Sequence, residues 1–513
     1  MNIKSIFFLL VQFQLIFSNL AEHSCISQIG NRDIYRNDYT HPESIQGENF
    51  VVHFTSSDVD SQFVNNQWMN LQSNAGLAQS ILDLSEFALE HYIQMGWEVP
   101  PPDCNEQIDD IESPDHCVNF GGNSLYDIYI ANDAAGMVVP ETPYPVEPYT
   151  GGYTSYMKIS TFLNAYDALP YWAEHVIAHE LHHAIQMRYG YSVSGTPGNY
   201  VFNGWFFEQT ASYMENVIFP SSNHLFTMLA NCNVTTPLTF PEYGVDYPGD
   251  LYQYRSALWQ KYLVEAYNDS TIIRTLWEDY GTQYATGNPV SLFPIYNNAV
   301  DQVTEGVYTL SDAFSEYAIW RYFTGNRSIP GEYFHEGAGY CTSLISDSAE
   351  TEFTFFSETG GMHSFNLPSE PFSLIISSEN FNHIRGSYLT LTEDNQVIIH
   401  NLFLEDENSI FNSYDFSEHP QVLIINSNYT GSISNEIAFT LTLNESILIG
   451  DVNNDGQINV VDIVQLIEYI FLYEINQSFD FISETDLVRT DINADNQLNI
   501  MDVVLLVNII LGD

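Results

Sequence analysis

The stretch His179-Glu180-Leu181-His182-His183, with Gly204-Trp205-Phe206-Phe207-Glu208 downstream of it, decides how this chain is read. The first part is an H-E-x-x-H motif. On a helix it sets His179 and His183 one turn apart on one face, where two imidazoles can share an ion. Glu180 stands beside them as a base for water, and Glu208 offers a third ligand. A helix is expected here. Pro170 suits a first turn, no proline or glycine interrupts residues 171–189, and Gly190 supplies the stop. His175 also lies one turn before His179 and His182 is adjacent. A 175/179 pair would leave no glutamate directly after its first histidine, so 179/183 is preferred.

The segment from Trp205 to Glu215 reads as a second helix on which Glu208, Ala211, Ser212 and Glu215 share a face. Small residues there allow close packing against the first helix. Glu215 is a candidate to orient a ligand histidine, with a solvated surface glutamate as the alternative. The aromatic run before Glu208 would anchor the start of this helix in the core.

H-E-x-x-H followed by an aromatic-rich W-x-x-E, and by another glutamate seven residues on, resembles the gluzincin metallopeptidases, among them secreted bacterial metalloproteases of that clan. The resemblance covers roughly residues 45 to 330. It takes in Tyr126–Ile130 as a sheet strand, Ser155–Ile159 before the active helix, and aromatic helices over Leu251–Tyr267 and Leu310–Phe323. It implies an α+β zincin-like fold, one catalytic Zn²⁺ held by His179, His183 and Glu208, and Glu180 as catalytic base. The substrate class implied is a protein or peptide. Gln209 departs from the glycine many gluzincins carry, and a loop over residues 192–203 lengthens the gap to Glu208. Zinc would acidify its water and Glu180 would take the proton. Tyr252 and Tyr254 are candidate oxyanion donors, with Arg255 and His224 beside them; each tyrosine has packing as its alternative. The strand over Tyr156–Ile159 is expected at a sheet edge, where zincins pair with substrate.

A second pattern closes the chain. Asp451, Asn453, Asp455, Gln457, Asn459 and Asp462 occupy positions 1, 3, 5, 7, 9 and 12 of a calcium loop, with Gly456 at the sharp turn. Asp491, Asn493, Asp495, Gln497, Asn499 and Asp502 repeat it, with Asn496 in place of the glycine. Each loop runs into an apolar helix. This duplicated loop-helix resembles a type I dockerin over residues 448–513, which implies two Ca²⁺ ions and a cohesin-like partner. Val460-Val461 and Ile500-Met501 depart from the small hydroxyl residues many dockerins have at positions 10 and 11.

The remaining text fits an exported protein. Lys4 and the apolar run Ile6–Phe17 read as a signal peptide (1–21), too short to span a bilayer. Cys104 and Cys117 are a plausible disulfide, while Cys25, Cys232 and Cys341 are left unassigned. With 66 acidic and 12 basic residues the net charge is −54, which argues against binding nucleic acid or anionic membranes. The expected layout is a catalytic domain at 22–340, a β-sandwich-like accessory domain at 345–445 and the all-α dockerin-like end. Leu77–Met95 is expected as a backing helix and Pro140–Pro148 as a loop near the cleft. The competing reading is a non-proteolytic adhesion or assembly protein that works through its last two domains.

Overall fold

A computed structural model of the chain describes residues 39–64, 67–102, 125–132, 135–161, 172–191, 203–287, 290–346, 353–369, 372–392, 396–413, 420–429, 437–445, 448–476, 482, 484–493 and 497–511. The signal-peptide run, the 104/117 cysteine pair, Pro170, the loop at 192–202, Asp495 and Asn496 lie outside them. The chain forms two compact units. One comprises Met1–Leu344 with Ser357–Met362 and Ser427–Asn435; the other comprises Ile345–Phe356, His363–Asn426 and Glu436–Asp513.

The first unit is built on a five-stranded sheet in the order β1 (Glu43–Gln46), β2 (Phe50–Phe54), β5 (Tyr126–Ala131), β7 (Tyr149–Ser160), β6 (Gly136–Val146). A small hairpin, β3 (Ser61–Val64) with β4 (Gln67–Asn70), stands apart from it. β2, β5 and β7 run parallel, and antiparallel β1 and β6 close the two edges. Alternation sorts the side chains: Phe50, Val52, Phe54, Ile128, Ile130, Met157 and Ile159 join the main core. Tyr129, Val139 and Tyr156 point to the other face, against Tyr39 and Leu71.

On the main-core face lie α1 (Ala75–Gln94) and α2 (Trp172–Tyr189), where the sequence pattern expects helices. Asn74 caps α1 by accepting from the Leu77 N–H (2.9 Å). From His175 to Met187 every residue of α2 is buried, because the sheet and the neighbouring helices close around it. Gly190 ends α2 at φ +144°, and a Cβ there would run into the Tyr284 ring. The remaining helices of this unit are α3 (Gly204–Ile218), α4 (His224–Leu229), α5 (Tyr252–Arg255), α6 (Leu258–Tyr267), α7 (Ile272–Tyr284), α8 (Leu292–Val303) and α9 (Leu310–Tyr322).

The second unit holds two four-stranded sheets. One has the order β13 (Asn408–Asn412), β10 (Phe372–Ser377), β15 (Ile437–Glu445), β8 (Phe353–Ser357). The other runs β12 (Val397–Phe403), β11 (Ile384–Leu391), β14 (Val422–Ser427), β9 (Met362–Asn366). Phe372, Leu374, Ile376 and Phe439 from the first sheet share one core with Phe365, Tyr388, Leu423 and Ile425 from the second. Three helices follow: α10 (Val460–Asn476), α11 (Glu484–Thr490) and α12 (Ile500–Leu511). They have a separate core of Val452, Leu466, Leu498, Val503 and Leu506, drawn from both halves of the duplication.

Three expectations change. Residues 140–146 are not a loop but part of β6, an edge strand whose prolines fit a position where one side of the backbone goes unpaired. The strand over Tyr156–Ile159 is interior, because β7 pairs with β5 on one side and β6 on the other. The segment 251–267 is two helices, separated at Ser256 and Ala257. The unassigned cysteines also resolve in part: Cys232 and Cys341 form a disulfide with Cα atoms 5.3 Å apart.

That bridge closes a loop across a sequence separation of 109 residues. Loss of a native bridge over so long a loop costs about 2–4 kcal/mol, mostly by freeing the unfolded chain. Urea unfolding of the C232S/C341S double variant is expected to show that loss. A change below about 1 kcal/mol would show the bridge to be incidental to stability.

Candidate metal centre

Two neighbouring helices make the site. α2 presents His179 and His183 one turn apart, and α3 brings Glu208 up to them. The α3 N-terminus is held by aromatic packing: Phe206 stacks on Trp277 (4.5 Å), Phe207 meets the same indole edge-on (4.7 Å), and Trp205 stacks on Tyr296 (6.1 Å). Gln209 ties α3 to later chain, donating to the Val245 carbonyl and to Ser256 Oγ (2.9 Å) and accepting from Gln260 (3.0 Å). Thus the residue that departs from glycine serves as a buried tie between segments.

The ligand atoms form a nearly equilateral triangle. His179 Nε2 and His183 Nε2 are 3.1 Å apart, and each lies 3.1–3.2 Å from Glu208 Oε2. The outer nitrogens fix which atoms carry protons. His179 Nδ1 donates to Glu215 Oε1 (2.7 Å), and a carboxylate can only accept. His183 Nδ1 faces Gln186 Oε1 (2.7 Å), because the Gln186 amide nitrogen is taken up donating to Phe207 O and Thr210 Oγ1 (both 3.0 Å). With both Nδ1 atoms protonated, both Nε2 atoms turn lone pairs toward each other and toward a carboxylate oxygen.

Three such lone pairs in a buried site repel unless positive charge sits among them, as an added proton or as an ion. Zinc–ligand bonds of about 2.0–2.1 Å give a tetrahedral edge of about 3.3–3.4 Å, close to the triangle seen. The donor set of two neutral imidazoles and one carboxylate, each oriented from behind, therefore fits zinc. Burial pushes the Glu208 carboxyl up, but positive charge at the triangle, carried by His183 and His179 when no ion shares it, outweighs burial and holds the group at about 2. Glu215 lies below the ordinary carboxylate range in the same way, burial opposing and His224 and His179 prevailing.

Glu180 follows His179 on α2 and is buried against the start of edge strand β6. A Cβ on Gly136 would fall 2.4–2.7 Å from the Glu180 side chain, so only glycine leaves that carboxylate room. Tyr254, half-buried, stacks its ring on His179 at 5.7 Å. Tyr252, by contrast, is fully buried and donates its hydroxyl to Tyr243 O (3.3 Å), which makes it a packing residue. Arg255 donates to the carbonyls of Thr235 and Asp250 (3.1 and 2.8 Å), and His224 is turned toward Glu215. Sequence reasoning passed over Gln186 and Gly136. Gln186 stands three residues after His183 on the same helix, a spacing from which its role could have been read.

The ambiguity between adjacent histidines resolves on what each ring touches, since both are buried. His182 points away from the triangle into an aromatic cage, stacked on Tyr92 (5.5 Å) and edge-on to Trp97 (4.8 Å). Among the described residues neither of its nitrogens has a hydrogen-bond partner. Burial first, and then His183 and His179, push this imidazole well down, so it is neutral.

In the C-terminal repeat the loop carboxylates already organise the backbone. Asp451 accepts from the Asp455 and Gly456 N–H groups (3.0 and 2.8 Å), with Gly456 at φ +80°. Asp462 accepts from Asn459 and Asn453 (2.8 and 3.1 Å), and Asp502 accepts in the same manner from Asn499 and Ile492 (2.9 and 3.0 Å). Asn493, Gln497 and Asp491 take their places in the second loop, which is described apart from 494–496.

Two family matches correspond to these two regions. Residues 162–324 match a family of unknown function, DUF6055, a span that includes every member of the triangle as well as Glu180, Glu215 and Tyr254. Residues 449–511 match the dockerin type I domain. No curated protein matches the chain. The C-terminal repeat is thus a dockerin, a calcium-binding attachment module.

The two adjacent histidines should behave oppositely. H182F is expected to leave stability within about 1 kcal/mol of the parent, since an unpartnered imidazole gives way to a ring of similar shape. Retained metal content after dialysis should accompany it, whereas H183F should lose the metal. Metal loss in H182F would contradict the placement of that ring.

Proposed function

We propose that this chain is a secreted zinc endopeptidase, attached through its dockerin to a cohesin-type partner. The observation that carries the catalytic half is the convergence of His179 Nε2, His183 Nε2 and Glu208 Oε2 on one point, with Glu180 adjacent to His179 on the same helix. When bound, zinc supplies a Lewis acid that acidifies water and polarises a carbonyl oxygen. Glu180 takes the proton of the attacking water and passes it to the leaving amine nitrogen. Its seat against Gly136 limits the positions that carboxylate can adopt. Tyr254 is the donor we assign to the developing oxyanion, on the strength of its stacking over His179. Glu215 and Gln186 hold the two imidazoles in the tautomer that faces the metal.

The attachment half rests on the dockerin match and on what its helices expose. Val460 and Val461 at the start of α10 are 65% and 51% exposed, and Ile500 and Met501 at the start of α12 are 65% and 53%. These equivalent apolar pairs call for an apolar patch on the partner rather than one rich in hydroxyl acceptors. Export is supported by the N-terminal apolar run and by the dockerin, since dockerin-bearing proteins are typically extracellular. No described helix is long and apolar enough to cross a membrane.

Cleavage of casein or a quenched peptide should need zinc, stop with a chelator, and fall by at least about 10²-fold in E180Q while zinc content stays unchanged. Undiminished cleavage by E180Q would remove Glu180 from its assigned role. If zinc binds but no peptide is cut, the non-proteolytic adhesion reading gains. For the attachment half, aspartates at Val460, Val461, Ile500 and Met501 should abolish capture by a type I cohesin while the calcium-induced helical signal persists. Capture that survives both this variant and EGTA would rule the dockerin out as the point of attachment.

A further inference from the structure

Among the described residues a second group of side chains has metal-ligand chemistry: His175, Glu215 and His224, with candidate atoms within 4.8 Å of one another. Glu215 joins it to the first, through the outer nitrogen of His179. Oε1 of Glu215 accepts from His179 Nδ1 (2.7 Å), and Oε2 accepts from His224 Nδ1 (2.6 Å). The His175 ring lies flat on His224, centroids 4.0 Å apart and planes 25° apart, and Trp172 sets its edge against His175 (4.4 Å).

This geometry differs from that of the triangle. A separation of 2.6 Å is too short for two ligands of one zinc ion, whose tetrahedral edge is about 3.3–3.4 Å, but it is the length of a charge-assisted hydrogen bond. Two imidazoles stacked almost parallel do not aim their nitrogens at a common point either. A proton, rather than an ion, accounts for the contact between Glu215 and His224.

We infer that His224 is a positioning residue for the metal centre: it grips one oxygen of Glu215 and thereby fixes the other against His179. Glu215 is buried, and each of its oxygens is satisfied by one imidazole N–H from a different helix. Removing the outer donor leaves Oε2 buried and short of a donor, at a cost that the carboxylate relieves by turning away from His179. The fold delivers His224 by a tight return: α3 ends at Ile218, Pro220–Ser222 form a single 3₁₀ turn, and Asn223 at φ +50° starts α4. The Leu225 N–H is tied back to Asn216 Oδ1 (3.3 Å), one residue past Glu215. Stacking on His175 then sets the plane of the His224 ring, so α2, α3 and α4 all meet at this carboxylate.

The inference rests on the zinc reading of the triangle, and the test separates the two. Zinc affinity of the full chain, with calcium saturating the dockerin loops, is measured by competition with a chromophoric chelator. The variants are H224A, H224N, E215A and E215A/H224A. H224A should bind zinc about tenfold more weakly. H224N should recover most of that loss, because its amide N–H falls where Nδ1–H stood, and H224A should add nothing once Glu215 is gone. If H224A does not fold, H224Q takes its place, since the longer amide reaches the position of Nε2 instead and should not rescue. Unchanged affinity in H224A and H224Q, or full additivity of the E215A and H224A losses, overturns the clamp. So does a second zinc equivalent in the parent that vanishes in H224A, which would put an ion where we place a proton. A parent chain that takes up no zinc overturns the zinc reading itself.

Discussion

Two imidazole lone pairs and a carboxylate oxygen held 3.1–3.2 Å apart in a buried site are what the rest of the first unit must accommodate. Such a triangle is costly unless positive charge occupies its centre, and its members would separate if they were free to move. The packing denies them that freedom. α2 is buried from His175 to Met187, so its two imidazoles cannot swing outward by bending the helix. Glu208 sits on a helix whose first turn is wedged among Trp277, Tyr280 and Tyr296. The outer nitrogens are tied by Glu215 and Gln186, and Gln186 is held in turn by Phe207 and Thr210. Preorganisation of this kind favours an ion that accepts a fixed tetrahedral donor set.

The dockerin solves a similar problem with different chemistry. Its ligand oxygens are spaced along one short loop, so their approach is set by local backbone conformation more than by distant packing. The Asp451, Asp462 and Asp502 carboxylates accept backbone N–H groups of their own loops, which pre-forms the turns that a hard, oxygen-seeking cation needs. Nitrogen ligands on buried helices suit zinc, and carboxylates on turns suit calcium. The two donor sets in this chain scarcely overlap, so each is suited to a different ion.

The helix spanning His179 and His183, the placement of Glu208 on a following helix and the duplicated calcium loops were all legible in the sequence. Each depends on spacings within one turn or one loop. Glu215 as an orienting residue was legible as a candidate, since a position two turns after Glu208 shares its face. Other features were not. The strand over Tyr156–Ile159 was expected at a sheet edge, yet β7 is interior, because β5 and β6 pair along its two sides. The prolines of residues 140–145 suggested a loop, whereas an edge strand tolerates them. Tyr252 and Tyr254 are two residues apart and alike in sequence, but one is locked into the core and the other stacks on His179.

Chemical types and local periodicity were already set by the order of residues: two histidines one turn apart with a glutamate between them, a further glutamate on its own helix, and two copies of an oxygen-rich loop. Helical and turn geometry act over three to twelve residues, so composition and spacing suffice there. Packing between helices settled the orientation of each imidazole, with His182 caged among aromatics and His183 turned toward Glu208. The tertiary structure also decided that Cys232 pairs with Cys341 and that His224 closes on Glu215. Those outcomes rest on how elements pack against one another, across 109 residues for the disulfide and 36 for the contact between His179 and Glu215, and spacing within one helix does not encode them.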